Sequence, residues 1–436
     1  MTIDADRVER ALTARLEPVA GRPLAVAFSG GGDSLALLLI ASAWAKRNGR
    51  PIIALTVDHR LQARSGEWAA WCATRAAQLG VAHEVLAWNG PWPARGLAAA
   101  ARQARHRLIA EAARRAGARV VLFGHTADDI LETHRMRGEG VKVSAPTAWS
   151  PSPIWPEGRD LFILRPLISR RRAAIRAWLT ARGETWIDDP ANEDLSQPRV
   201  RARAATAAAV PGPAEPIDHP LVDPSVIGPA GDVSLSLAQW RGLPDRLRWL
   251  GAAVACAAGS PGPPRRTALE RIVARLATAE PIDATLGGAR VVRDRDLLVI
   301  ARETGDGRGR ACRPMALRGG EAQVWDGRFE VRAHAPGLTL SALPGHAAKL
   351  DAGQRKRLSA LHPIARAAMP ALIDQGGAVT CPTLILEPRL DIRSLVPGRL
   401  AGAIGAIDSE AHIGVYDDSG EEGPWPRSTT ATSCRM

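Results

Sequence analysis

Several protein classes are excluded by what this sequence lacks. Its five cysteines, Cys72, Cys256, Cys312, Cys381 and Cys434, are odd in number, and no two form a Cys-x-x-Cys pair. A disulfide framework, a zinc ribbon and a cysteine-held iron–sulfur cluster therefore have no support, and reduced thiols are expected. One Tyr and four Phe stand against 13 Trp, and Lys occurs only four times against abundant Arg and Ala. That bias is read as genomic base composition, so no single exposed Arg carries weight by itself. The longest apolar stretch, "WLGAAVACAAG" at 249–259, is too short to span a bilayer. The first residues, "MTIDADRVERALTARL", hold no apolar h-region. The expectation is a cytoplasmic protein without a membrane partner.

What is present belongs to a globular chain of 436 residues, 46% apolar, long enough for two or three domains. Its charge is uneven. Residues 1–215 carry 30 basic and 21 acidic side chains, and the remainder carry 27 and 24. A basic surface suits a polyanion such as nucleic acid, although a soluble basic enzyme fits the composition as well.

Short apolar runs alternate with helical patterns up to about residue 165. Strands are expected at "PLAVAFS", "PIIALTV", "AHEVLAW" and "RVVLFG". Helices are expected at Ser34–Asn48, Gly66–Leu79, Ala94–Ala116 and from about Ala127. Such alternation implies an α/β domain with a doubly wound parallel sheet, whose ligands bind beyond the carboxyl ends of the strands. A helical, hairpin-like stretch is expected at Ser169–Arg182, and a proline-rich linker at 211–230. Beyond it the pattern gives helices near Leu235–Ala257 and Arg265–Ala279, a hairpin turning at Arg293–Asp296, and another at "VWDGRFEV" with Asp-Gly as its turn. The expected division is a catalytic domain at 1–215, a helical middle domain at 216–310 and a smaller mixed, β-rich part at 311–436 with a disordered tail.

The first strand ends in "SGGGDS", residues 29–34, directly before a helix. A helix start offers free N–H groups and partial positive charge to an anion. Gly30, Gly31 and Gly32 let a phosphate approach the main chain closely. Ser29 and Ser34 add hydroxyl donors. Asp33 would repel a bare phosphate, so its place is best explained by a bridging Mg²⁺. The ligand is read as a metal-bound polyphosphate. The Lys-Ser/Thr of a P-loop and the spacing of a dinucleotide fold are both absent. A plain tight turn would need one glycine, not three between Ser and Asp-Ser.

In "GHTADDILET", residues 124–133, a helix places His125, Asp129 and Glu132 on one face. Thr126 and Asp129 also have the spacing of a capping box, a purely structural use. Arg102 and Arg105 lie three apart on the long helix, hence on one face, where a solvated arginine surface is the plain alternative. The cluster Arg165, Arg170, Arg171, Arg172 and Arg176 has no acid between its ends. Arg199, Arg201 and Arg203 alternate, as a strand or extended segment would. Both sets suit RNA phosphates.

The stretch SGGGDS resembles the PP-loop motif of enzymes that cleave ATP between its α and β phosphates. With it, in order, come "VDHRLQARSGEWA" (57–69), "AARQARHRLI" (100–109), "GHTADDILET" (124–133) and "RPLISRRRAAIRAWL…WIDDPANED…RVRAR" (165–203). Together they resemble the tRNA(Ile)-lysidine synthetase family over about residues 20–205, and more loosely beyond. The loop after Glu132-Thr133 departs from that family, reading "HRMRGEG" where an apolar run to RGSG is usual.

The resemblance implies a Rossmann-like PP-loop fold and ATP and Mg²⁺ as cofactors. It implies a CAU-anticodon tRNA(Ile) and free L-lysine as substrates. The C2 oxygen of the wobble cytidine is adenylated, and the lysine ε-amine then displaces AMP. Ser29 to Ser34 and Asp58 would bind ATP, with Asp33 and Asp129 on the metal. Glu132 would serve the lysine, although its role and that of Asp129 can be exchanged, and His125 would orient a carboxylate or transfer protons. Arg102 and Arg105 would balance phosphate charge. The arginines at 165, 170–172, 199, 201 and 203 would hold tRNA. A carboxylate has clear work here, since only about one lysine amine in 2,500 is neutral at pH 7. The alternatives are another PP-loop enzyme, such as a tRNA thiolase, and a non-catalytic tRNA binder. Nothing in the sequence selects between a monomer and a homodimer.

Overall fold

The computed structural model describes residues 4–141, 143, 145–188, 198–206, 223–278, 280–305 and 312–415. The expected tail disorder, Cys434, the "DPANED" stretch and most of the proline-rich linker lie outside these residues. The chain forms two compact units. The first comprises the residues up to Asp223 together with Ala401–Ile413, and the second is built on Pro224–Leu400.

The first unit begins with α1 (Ala5–Thr13), then β1 (Leu24–Ala27), α2 (Gly32–Arg47), β2 (Ile52–Asp58), α3 (Ser65–Gln78), β3 (Ala82–Ala87), α4 (Leu97–Arg115), β4 (Val120–Leu122) and α5 (Ala127–Gly138). β5 (Trp149–Pro151), β6 (Phe162–Leu164), α6 (Arg172–Thr180) and α7 (Pro198–Thr206) follow. The six strands lie in the order β3-β2-β1-β4-β6-β5, all parallel except β5. β1 and β4 are buried at every position, as strands covered on both faces must be. The α/β, doubly wound class expected from the alternation is therefore what forms.

The chain order reverses between β1 and β4, so the turns leaving these two strands lie side by side. At Gly124, after β4, an added Cβ would lie 3.0 Å from the Asp33 carbonyl oxygen. Only glycine allows this approach of the two turns. At the far end of the chain, Glu410 returns to the first unit. Its carboxylate accepts two hydrogen bonds from the fully buried Arg50, at 2.7 and 2.6 Å, and Trp149 donates to the Ile407 carbonyl at 2.8 Å.

Two expectations in this unit are corrected. The stretch 169–182 forms one helix, α6, and not a hairpin. Residues 198–206 are helical as well, so Arg199, Arg201 and Arg203 do not alternate on an extended chain. Alanine and arginine are good helix formers, and that preference prevails over the alternating pattern.

The second unit holds β7 (Val226–Ile227), β8 (Val233–Ser236), α8 (Leu237–Gly242), α9 (Arg246–Ala257), α10 (Arg266–Leu276), β9 (Ile282–Leu286), β10 (Ala289–Asp294) and β11 (Leu297–Arg302). Its strands form an antiparallel sheet ordered β7-β8-β11-β10-β9; the hairpin expected at Arg293–Asp296 is its β10–β11 pair, and the rest of the sheet stands in what was expected to be a helical middle domain. The single helix expected over Leu235–Ala257 is divided at Pro244, which cannot continue α8; Asp245 caps α9 by accepting from the Arg248 N–H at 2.9 Å. The hairpin at "VWDGRFEV" forms as expected. β12 (Met315–Ala316) precedes β13 (Ala322–Trp325) and β14 (Phe329–Ala333), and Asp326 and Gly327 both take positive φ in the turn, as a tight two-residue hairpin requires.

Candidate active site

The glycine loop is shaped by its own hydroxyls. Ser34 donates to the Gly31 carbonyl at 2.9 Å and accepts from the Ser29 N–H at 3.2 Å, with the Ser29 hydroxyl also 3.2 Å away. Gly30 has φ +79°, and an added Cβ would meet Ile187 Cδ1 at 2.4 Å. α2 opens at Gly32, and its first backbone bond is Leu35 N–H to Gly31 O. The N–H groups of Gly32, Asp33 and Ser34 therefore have no acceptor within the helix. Sequence reasoning missed the cover of this loop. Ile187 donates its N–H to the Gly30 carbonyl at 3.0 Å, and the Trp186 ring packs on Gly32.

Beside the loop, three carboxylates and three guanidiniums form one cluster. Arg172 reaches Asp33 at 3.1 Å, Glu132 at 3.0 Å and Asp129 at 3.6 Å. Arg199 pairs with Asp129 and, at 2.9 Å, with Glu132; Arg203 pairs with Glu132 at 3.0 Å. Arg199 and Arg203 are four apart on α7, which lies along α5, so they share the face toward the acids. Arg201 falls on another face and is exposed.

Asp129 divides its two oxygens between the helix cap and the arginines. Its Oδ2 accepts from the Thr126 N–H at 2.7 Å and the Thr126 hydroxyl at 2.8 Å, closing the cap of α5, while Oδ1 faces Arg199 and Arg172. Burial opposes its charge, yet Arg199, Arg172 and the Thr126 N–H hold the carboxyl down at about 2. Asp33 behaves in the opposite way. Burial outweighs Arg172 and pushes its carboxyl up to about 6, and its buried Oδ1 has no hydrogen-bond partner. The departing stretch "HRMRG" simply continues α5.

His125 stacks on Phe123 with ring centroids 5.8 Å apart, and Phe123 stacks on His106 at 5.3 Å. Arg165 Nε donates to His125 Nδ1 at 3.2 Å. A guanidinium has no acceptor, so Nδ1 is the accepting nitrogen and the ring proton sits on Nε2. Burial, with Arg165 and Arg105 nearby, pushes the His125 pKa well below its ordinary value. Arg105 lies over the Phe123 ring at 5.4 Å, and burial with Arg102 close by lowers it to about 10. Both Arg102 and Arg105 lie within the field of Asp129.

The arginines expected to hold RNA divide three ways. Arg165 is corrected outright: it is 6% exposed, with its other donors on the Thr147 carbonyl at 2.8 Å and the Ser150 hydroxyl at 3.0 Å. Arg172, Arg199 and Arg203 face the carboxylates. Arg171 pairs with Asp128 at 3.0 Å, and the Arg170 carbonyl accepts the Ala127 N–H that opens α5. Asp58 closes its own turn, accepting from the Arg60 N–H at 2.8 Å.

A glycine turn at a helix start, beside carboxylates and several guanidiniums, is the arrangement of a nucleotide-binding PP-loop enzyme. The sequence pattern of the PP-loop domain family matches residues 5–209. The chain is 46% identical over 413 residues to the tRNA(Ile)-lysidine synthase of Caulobacter vibrioides, covering 93% of this chain and 99% of that one. It is 33% identical over 428 residues to the enzyme of that name in Rhizobium meliloti, covering 91% and 88%. The chain belongs to the tRNA(Ile)-lysidine synthase family. Among solved structures, a U34-tRNA thiolase from Methanococcus maripaludis aligns with 46% of this chain and 72% of its own at TM-score 0.39 and 13% identity. No helix among the described residues is long and apolar enough to cross a membrane.

Proposed function

We propose that this chain joins free L-lysine to C2 of the wobble cytidine in a CAU-anticodon tRNA(Ile), with ATP as the activating substrate. Family membership over nearly the whole chain carries this reading, and the uncapped start of α2 at the glycine loop supports it. In the first step the cytidine O2 attacks the α-phosphorus and pyrophosphate leaves. In the second the lysine ε-nitrogen attacks C2 and AMP departs with that oxygen; the nitrogen, which arrives as an ammonium, gives up two protons, one to become nucleophilic and one after the C–N bond forms.

Residues 1–215 are the catalytic part in this reading. The N–H groups that open α2, with Ser29 and Ser34, hold the departing pyrophosphate, and Asp58 flanks the nucleoside. Arg102 and Arg105 offset charge that develops on the phosphates. Mg²⁺ fits Asp33, whose Oδ1 is buried and unpartnered. Mg²⁺ ordinarily keeps waters and substrate phosphates around one or two carboxylates, and Asp33 would supply one of them. When bound, it neutralises phosphate charge. Asp129 is the second carboxylate on that side.

Glu132, 1% exposed and already carrying three guanidiniums, is built to hold a cation, and the lysine ammonium is the cation the reaction brings. It then takes the ammonium proton as the amine attacks. His125 presents Nε2–H as a donor and does not act as the base. Arg170, Arg171 and Arg201, which lie outside the carboxylate cluster, contact tRNA phosphates in this reading. A cytoplasmic setting and either a monomer or a homodimer are compatible with this scheme.

Incubation with ATP, single amino acids and a CAU-anticodon transcript tests it. Nucleoside mass spectrometry should find lysidine with lysine alone; a thiolated base, or no product with any amino acid, overturns the reading.

A further inference from the structure

Between Glu84 and Glu111 the sequence holds no acidic residue and four arginines, Arg95, Arg102, Arg105 and Arg107. The first part of this stretch leaves β3 at the carboxyl edge of the sheet, the side on which the glycine loop leaves β1. Residues 91–99 are all exposed, and among them stands Trp92, 50% open to solvent, with Leu97 at 37% and nearby Leu61 at 43%.

A lone exposed Leu needs no explanation, but this tryptophan is held in place. Gly90 has φ +90°, and a Cβ there would lie 3.1 and 3.2 Å from two carbons of the Trp92 ring. The ring therefore rests on main chain that only glycine leaves bare. Its centroid lies 6.1 Å from that of the buried Trp88, and Trp88 meets His59 edge to face at 5.9 Å. His59 lies in the field of Arg105, which borders the carboxylate cluster. An aromatic column thus runs from the active-site side of the sheet to an open ring. The exposed Arg60, Arg64 and Arg95 belong to the same two turns, and Arg60 donates to Asn89 at 2.7 Å.

We propose that Trp92 is a stacking platform for an unpaired base of the RNA substrate, with Arg95 contacting an adjacent phosphate. The assignment rests on the tRNA reading above and adds a recognition residue to it. A preordered ring binds a base without first losing rotamer freedom. Base–aromatic stacking tolerates any base, while the acid-free, arginine-bearing turn favours a polyanion.

Steady-state kinetics of Trp92→Ala, Trp92→Phe and Arg95→Ala, each with varied tRNA and varied ATP, decide the matter. Trp92→Ala should raise the KM for tRNA about tenfold, with kcat and the ATP KM within about twofold of wild type, and Trp92→Phe should recover most of the loss. Arg95→Ala should reduce the salt slope of tRNA binding by about 0.7. It also keeps the proposal testable if Trp92→Ala folds poorly. Unchanged tRNA KM in Trp92→Ala and unchanged slope in Arg95→Ala overturn the platform. So does a rise confined to the ATP KM, which would give the ring to adenine, or a shift in oligomeric state, which would make the face a self-contact. Wild-type enzyme that forms no lysidine would instead overturn the underlying function.

Discussion

Each unit of this molecule encloses arginines with carboxylates, and the two arrangements differ in where their donors end. In the second unit Arg328 is completely buried. It donates to Asp326 at 2.8 Å, to the Ala368 carbonyl at 3.2 Å and to the Ala230 carbonyl, while Arg302 holds Asp326 from the other side at 3.0 Å. Main-chain acceptors anchor that guanidinium, and a ligand could displace it only by unfolding its surroundings. In the first unit the side chains of Arg172, Arg199 and Arg203 remain 15%, 42% and 33% exposed, and the bonds described for them go to carboxylates. Asp33 Oδ1 lacks a partner altogether. A cluster closed on the backbone holds a fold; one closed on exchangeable side chains, with an acceptor left over, is ready to receive cations and phosphates.

The largest effect should come from Asp33→Asn. It should lower tRNA-dependent pyrophosphate release at least about a thousandfold, about 4 kcal/mol of barrier. The same change should raise the melting temperature at pH 7.5. The folded carboxyl is raised to about 6 from an ordinary 3.8, so the folded state binds its proton more tightly. Ionisation therefore costs stability as pH rises through that interval, and a neutral amide avoids the cost. Normal turnover in this variant would break the contrast between the two clusters.

Arg328→Met should do the reverse, destabilising the protein by about 3–5 kcal/mol in urea unfolding, because two buried carbonyls and Asp326 lose their donor. Little change would show that this cluster is not structural.

A smaller effect is expected at His125, which combines both arrangements: Nδ1 is held by Arg165 and Nε2–H is free to donate. Gln places its amide N–H near the Nε2 position, and Asn places its own near Nδ1. His125→Gln should keep kcat within about tenfold, and His125→Asn should lose about a hundredfold. Equal losses would return His125 to proton transfer.

The local parts of the site were legible in the sequence. Ser29 to Ser34 shape their own turn through contacts at most five residues apart, and the hydrophobic periods gave the parallel sheet. The Thr126–Asp129 cap was legible for the same reason. The partners of the carboxylates were not. Glu132 meets Arg172 40 residues on and Arg199 67 residues on, and Arg50 meets Glu410 across 360 residues. The alternation at 199, 201 and 203 pointed to an extended chain, whereas packing on α5 and helix propensity put Arg199 and Arg203 on one face of α7 and Arg201 on another.

Sequence alone determined the shape of the turn at 29–34, because glycine backbone freedom, helix starts and short hydroxyl bonds act between near neighbours. Only the tertiary structure decided which arginine faces an acid, which faces water and which is buried beneath His125. Ion pairs depend on distance in space, and the fold alone brings residues from α5, α6 and α7 within 4 Å of one another.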